Sequence, residues 1–353
     1  MNLTVKELPA GTSRKKNPEN LKFGELFTDR MFLMQYDSGA GWSGARIEEF
    51  HNFSLSPATM SFHYAQEIFE GMKAYRFKDG KTAIFRPMEN FNRMNASAEL
   101  LGMPGFDSEF VLGALRKLIR LEEGWVPTQR GTSLYIRPVM IGVDPVIKVR
   151  SSDSFLFYII LSPVGPYFSA DRTMSRIMVE DRYVRAVRGG IGCAKTGGNY
   201  AASIRAGMEA AKKGYDQVLW LDGVERKYVE EIGSMNIFFV IDGVITTPAL
   251  NGSILPGITR KSVLELAAKL GYKTSERNVE IGEVMSGLAA GRVSEMFGTG
   301  TACVINPVST ICHKGKDYTV TDEPGKYSSI LHEYLTGIQH GDKEDIFNWM
   351  MIV

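Results

Sequence analysis

Gly190-Ile191-Gly192-Cys193-Ala194-Lys195-Thr196-Gly197-Gly198-Asn199-Tyr200 is the stretch from which the rest of the chain is read. A lysine ringed by residues with little or no side chain has room for a large group around its amine. An ordinary surface lysine gains nothing from such neighbours. Three readings of the run are open: a plain glycine loop, a loop approached closely by a phosphate, or a lysine that holds a cofactor covalently. The phosphate reading has some support. Gly189, four further residues and then Ala194-Lys195-Thr196 fall one residue short of a nucleotide-binding P-loop, and Gln217-Val218-Leu219-Trp220-Leu221-Asp222 has the form of an acidic, magnesium-holding strand. Two features oppose it. Ala194 stands where that pattern has glycine, and Gly197-Gly198 disfavour a helix opening at the lysine. The helix is expected to begin near Asn199 and run through Ala211.

Working outward, 353 residues suggest two domains. With 44% apolar and 23% charged residues the composition is that of an ordinary soluble protein. A formal net charge of +1 leaves no footprint for nucleic acid or an anionic membrane. No apolar run approaches a membrane span; Phe155 to Leu161 reads as a short buried strand. The first residues lack an apolar signal core, and three cysteines cannot make a disulfide framework, so a cytoplasmic location is expected. His51, His63, His313, His332 and His340 show no close metal-ligand spacing, and no metal is expected.

Residues 1–20 read as a mobile polar arm, 21–163 as a small α/β domain, 164–174 as an interdomain loop and 175–353 as a larger domain. The Pro163–Ser169 break supplies the boundary. Strands are expected at Thr82–Phe85, Ser133–Ile141, Ser154–Leu161, Ser175–Glu180 and Arg292–Phe297. Helices are expected at Glu89–Leu101, Ser108–Leu121, Thr259–Leu270, Val279–Ala290 and Lys326–Thr336. Ile237–Thr246 reads as a hairpin turning at Asp242-Gly243.

A pyridoxal phosphate site needs a lysine, a carboxylate for the ring nitrogen, a phosphate cup and a phenol near the cofactor oxygen. Each has a candidate. Glu230-Glu231 leads into an apolar strand, where an acid is costly unless paired. Leu255-Pro256-Gly257-Ile258-Thr259-Arg260 opens a helix whose free amides suit an anion. Gly298-Thr299-Gly300-Thr301-Ala302 ends a strand in small residues able to form a second nest, and Arg93 can add charge. Taken singly, each is also an ordinary turn, helix start or exposed arginine; together they select the covalent-cofactor reading.

With these residues in place the chain resembles the branched-chain amino-acid aminotransferases, pyridoxal-phosphate enzymes of fold type IV. The likeness runs from Phe27 to the C-terminal region. It rests on Ser61-Phe62-His63-Tyr64 with Phe69-Glu70-Gly71, Tyr135-Ile136-Arg137-Pro138, Lys195–Tyr200, Glu231–Asn236, Leu255–Arg260 and Gly300-Thr301-Ala302. The resemblance implies an α/β (α+β) architecture with a small N-terminal domain and a larger pseudo-barrel domain. It implies that Lys195 is the Schiff-base lysine and proton shuttle, Glu231 the ring-nitrogen partner and Tyr200 the phenol. Arg93, Ile258, Thr259 and Thr301 match the phosphate cup, and Ser234 and Asn236 belong to the same cofactor set. Thr301 and Ala302 match the receptor for the substrate α-carboxylate. Phe27, Tyr64, Phe69, Tyr135, Val149 and Tyr167 match the side-chain pocket. Arg137, beside Tyr135, can grip the γ-carboxylate of glutamate; the other reading makes it a structural ion-pair partner. Some pocket residues come from the partner subunit in that family, which implies a homodimer.

Two departures stand out. Only Cys303 remains where mammalian members carry a redox cysteine pair, and Ser234 replaces a frequent threonine. The expected reaction exchanges the amino group of L-leucine, L-isoleucine or L-valine with 2-oxoglutarate in two half-reactions. D-Amino-acid aminotransferases and aminodeoxychorismate lyases share the fold and cofactor but tend to be shorter.

Overall fold

The computed structural model describes residues 1–9, 21–166 and 173–353. Tyr167 and part of the 164–174 loop lie outside the described residues, as do positions 10–20 of the arm. By its contacts the chain forms two compact units, one of residues 1–166, 194–197 and 337–353, the other of 167–193 and 198–336.

The first stretch of chain gives β1 (Thr4–Val5), β2 (Arg30–Asp37), β3 (Gly41–Glu49), α1 (Met60–Tyr64), β4 (Glu67–Phe69), β5 (Met72–Arg76), β6 (Thr82–Phe85), α2 (Pro87–Leu100), α3 (Ser108–Leu121), β7 (Ser133–Gly142) and β8 (Ser154–Val164). Then come β9 (Ser175–Glu180), α4 (Gly197–Ala201), α5 (Ile204–Lys212), β10 (Gln217–Leu221), β11 (Val229–Ile232), β12 (Met235–Ile241) and β13 (Val244–Pro248). The remainder is α6 (Ile258–Lys269), β14 (Thr274–Arg277), α7 (Ile281–Ala289), β15 (Val293–Gly300), β16 (Val304–His313), β17 (Lys316–Thr319), α8 (Lys326–Gln339) and β18 (Met350–Ile352).

The sheet of the first unit runs β1-β3-β2-β8-β7-β5-β6-β18, with β4 also on β7. Side chains alternate across it. Leu134, Ile136 and Met140 of β7 join Phe32, Phe157 and the apolar faces of α2 and α3 in one core. α3 follows a 3.6-residue period, burying Val111, Leu112, Leu115, Leu118 and Ile119, and the Asp107 side chain caps it at Glu109 and Phe110. Val139 and Ile141 of β7 face the other way, with Leu33, Leu156, Phe69 and Tyr158. The start of the arm is not loose: Thr4 and Val5 pair in parallel with Arg46 and Ile47.

In the second unit the order is β11-β10-β9-β16-β15-β12-β13-β14, with β17 on β16, and β11 also pairs with β12. That extra pairing closes six strands into a barrel-like ring whose seam sets Glu231 opposite Asn236. Ile177, Leu219, Ile237, Phe239, Met296 and Ile311 share one core there. The expected hairpin turns at Asp242 (φ 51°) and Gly243 (φ 75°), both left-handed as a tight turn requires.

The helix expected from Asn199 to Ala211 is two helices instead, α4 and α5, parted at Ala202-Ser203. Ser203 donates through both its amide (3.0 Å) and its hydroxyl (2.6 Å) to the Tyr200 carbonyl, and this tight turn interrupts the α-helical ladder. Gly197 and Gly198, expected to disfavour a helical start, open α4. At Gly197 space overrides propensity: a Cβ there would collide with the Glu67 carboxyl. None of the described helices is long and apolar enough to cross a membrane.

Candidate active site

The peptide of Lys195 is fixed within the first unit. Its amide donates to Ser97 Oγ of α2 (3.0 Å), and its carbonyl accepts from the Phe69 amide of β4 (3.0 Å). Thr196 Oγ1 adds a bond to the Glu67 carbonyl (2.7 Å). The Lys195 amine lies 5.0 Å from the centre of the Phe69 ring, within cation–π range.

Each residue of Phe69-Glu70-Gly71 has a separate task. Phe69 presents its ring to Lys195 and, at 4.8 Å, to the Arg137 guanidinium. Glu70, fully buried, receives Arg93 Nε on Oε1 (2.7 Å) and Arg93 Nη2 on Oε2 (2.8 Å). Asn90 Nδ2 (2.8 Å) and the Gly71 amide (3.1 Å) complete its shell. Burial pushes the Glu70 carboxyl up, but the Arg93 charge and bonds, the Lys195 charge and the Asn90 bond outweigh it, so its pKa is lowered. Gly71 has no side chain because a Cβ would strike the Tyr135 hydroxyl. That hydroxyl accepts from Arg137 Nη2 (2.9 Å), whereas Arg137 Nε is buried without a hydrogen-bond partner.

Among the other expected pocket residues, Phe27 stacks on Phe50 with centroids 5.2 Å apart, and Tyr64 is half-buried at the end of α1. Val149 is 83% exposed on the connection between β7 and β8. Tyr167 lies outside the described residues.

In the second unit, Glu231 sits on β11 with its carboxylate buried. Oε1 accepts from the Leu255 amide (3.0 Å) and Asn236 Nδ2 (3.2 Å), and Oε2 lies 2.8 Å from Arg185 Nε. Asn236 also donates to the Leu255 carbonyl (2.9 Å), tying the barrel seam to the loop before α6. Gly257 caps α6 in extended conformation; a Cβ there would meet Asn236 Oδ1. No side chain caps the first turn, so the Ile258 and Thr259 amides end in a donor nest. Strand register sets Thr299 beside Asn236, and the buried Thr299 hydroxyl has no partner among the described residues. Thr301 and Ala302, both half-buried, occupy the turn between β15 and β16. Tyr200 is half-buried in α4, while Ser234 is exposed at the β11–β12 turn.

Sequence reasoning missed Ser97 and Arg185, and it quoted Glu70 within a motif without giving it a role. Glu70 stands in the apolar run Ile68–Met72, where an unpaired acid would be costly. Asn90, Arg93 and Ser97 follow helical spacing, and the buried Asn90 and Ser97 mark a polar stripe on the inner face of α2. The Arg185 partners lie too far along the chain for spacing to reveal them. The acid of the alternative nucleotide reading, Asp222, is already occupied. It accepts backbone amides from Val224 (3.1 Å), Glu225 (2.7 Å), Lys227 (2.9 Å) and Tyr228 (2.8 Å). Burial raises its pKa, but these four bonds win and hold it at about 2.

Residues 67–311 match the family model for amino-transferase class IV. Branched-chain-amino-acid transaminase 1 of Bacillus subtilis (strain 168) is 50% identical over 341 residues, covering 96% of this chain and 96% of the relative. A branched-chain aminotransferase from Thermoproteus uzoniensis, solved with norvaline, superposes with a TM-score of 0.76 at 26% identity, covering 92% of this chain and 99% of that one. The T.th. branched-chain amino acid aminotransferase, solved with pyridoxamine 5'-phosphate, gives 0.75 at 27% identity over 91% and 97% of the two chains.

Proposed function

Because the chain belongs to the class IV aminotransferases and has their fold-type-IV architecture, we propose that Lys195, Glu231 and the residues around them serve one pyridoxal 5'-phosphate. The reaction is transamination of L-leucine, L-isoleucine and L-valine with 2-oxoglutarate, yielding branched-chain 2-oxo acids and L-glutamate. The observation that carries this reading is the Lys195 peptide, fixed on both sides beside a ring and a buried ion pair.

The residues fit the cofactor. An orphaned hydroxyl at Thr299 and a helix start that no side chain caps are donors in want of an acceptor. When bound, the cofactor supplies an electrophilic carbonyl carbon and a ring that takes up the electron pair left at the substrate Cα. Lys195 would be the amine that holds the cofactor and, once released, the base that moves the proton of the substrate Cα. Glu231, whose carboxyl already has the Leu255 amide, Asn236 and Arg185 around it, would keep the ring nitrogen protonated. Tyr200 orients the 3′ oxygen, with Ser234 and Asn236 in the same set. Arg93, Thr301 and the Ile258 and Thr259 amides would take the cofactor's phosphate. Thr301 and Ala302 present amides to the α-carboxylate.

Phe27, Tyr64, Phe69, Tyr135, Val149 and Tyr167 wall the side chain, and the spare donors of Arg137 receive the γ-carboxylate of the acidic co-substrate. Val149 and Ile147, 83% and 70% exposed, fit a homodimer in which this loop completes the partner's pocket. Three free cysteines suit a reducing cytoplasm. An assay with 2-oxoglutarate tests the activity: L-leucine should turn over and D-alanine should not. Preference for D-alanine would replace this reading with a D-amino-acid aminotransferase.

A further inference from the structure

Glu67 has no role in the chemistry above, yet it stands on the face that carries it. Glu67 and Phe69 are alternate residues of β4, so their side chains share one side of the sheet. Register sets Phe69 against Val139 of β7, and Val139 against Tyr158 of β8. Tyr135 and Arg137 follow on the same face of β7 by period two. Apolar neighbours fill the rest of this face: Leu33, Val139, Ile141, Leu156 and Ile160.

The charges on that face are not matched. Glu67 Oε1 lies over the α-carbon of Gly197, two residues beyond Lys195. Its backbone carbonyl is used by Thr196 Oγ1. Among the described residues no donor bonds its carboxylate. Arg137, in turn, spends Nη2 on the Tyr135 hydroxyl and leaves Nε without a partner. Tyr158, also half-buried, responds to both: the Glu67 charge raises its pKa and the Arg137 charge lowers it, after burial has raised it most. Burial alone raises the Glu67 carboxyl. The face therefore offers a guanidinium with unspent donors and a carboxyl with unspent acceptors, with the Tyr158 phenol near enough to respond to both.

We propose that Glu67 sets the balance between apolar and acidic substrates. A branched aliphatic side chain is indifferent to a carboxylate on this face. A γ-carboxylate drawn to Arg137 meets the like charge of Glu67 and binds less tightly than Arg137 alone would allow. Arg137 admits the acidic co-substrate; Glu67 keeps it from displacing the branched one. This inference rests on the reading that this face receives the substrate side chain.

The test compares KM for 2-oxoglutarate and for 4-methyl-2-oxopentanoate in wild type, Glu67→Gln and Arg137→Met holoenzymes. Removing one partly screened repulsion should lower the KM for 2-oxoglutarate about fivefold in Glu67→Gln and leave that of the branched oxo acid within about twofold. Arg137→Met should shift the ratio the other way. Competitive inhibition by glutarate against 4-methylpentanoate gives the same comparison without turnover, so a slow variant still reports. If Glu67→Gln leaves both ratios unchanged while Arg137→Met shifts them, Glu67 has no part in selection and the pocket reading stands. Should Arg137→Met also leave them unchanged, the pocket reading fails, and this inference with it.

Discussion

Around Lys195 the protein works with side-chain charge; around Glu231 it relies more on strand register and backbone amides. In the first unit Glu70 is answered chiefly by a guanidinium, Arg93, held in a two-point fork. In the second, Asp222 is answered by four main-chain amides, and Glu231 by one amide, one carboxamide and Arg185. The two constructions respond differently to injury. A buried ion pair that loses one member leaves the other stranded at high cost. A carboxylate fed by amides depends on its own ionisation and so on pH.

The largest effect should come from the lysine itself. Lys195→Ala is expected to cut turnover by about 10⁴-fold or more. Its melting temperature should hardly move, because the bonds to Ser97 and Phe69 use only the backbone at 195. Wild-type rates from that variant would remove Lys195 from the chemistry.

Next comes Glu70→Gln, which strands Arg93 in a buried setting and should destabilise the fold by about 3 kcal/mol. It should also weaken the binding of pyridoxal 5'-phosphate more than that of unphosphorylated pyridoxal, since Arg93 loses its orientation. Equal losses for the two ligands, by titration of the apoenzyme, would show that Glu70 holds the fold and not the phosphate ligand.

The smallest effect belongs to the amide-fed acid. Asp222 has a folded pKa of about 2 against the ordinary 3.8. Its stabilisation is thus complete above about pH 4 and is lost as the pH falls through about 2. Asp222→Asn should cost about 1–2 kcal/mol at neutral pH and flatten the acid limb of a melting-temperature profile. An unchanged acid limb would mean that other carboxylates, such as Glu48 with a pKa of about 2, govern it.

Sequence disclosed most where the determinant is local. Asp242-Gly243 specified its turn and Ser108–Leu121 its amphipathic face. Thr82–Phe85 and Ser175–Glu180 appear with the expected bounds. Local reasoning failed at Gly197, whose reason for being glycine is a carboxyl far earlier in the chain, that of Glu67. It missed the α4–α5 break because alanine-rich flanks outweighed one back-bonding serine. The closing pair β11–β12 was hidden too, since β11 reads as a turn with two acids and becomes a strand only by lying between β10 and β12. Of the candidate site, the residues in glycine-rich runs were legible. Those that steady them from afar, Ser97 and Arg185, were not.

The two bonds on the main chain at 195 carry one last consequence. With its shoulder pinned at both the N–H and the C=O, this residue is a jointed limb on a fixed mount: only rotations about its own methylenes can swing the nitrogen from one atom to the next. Any ferrying it does must fit inside the short arc those torsions sweep, and the Phe69 ring stands along that arc as a rail.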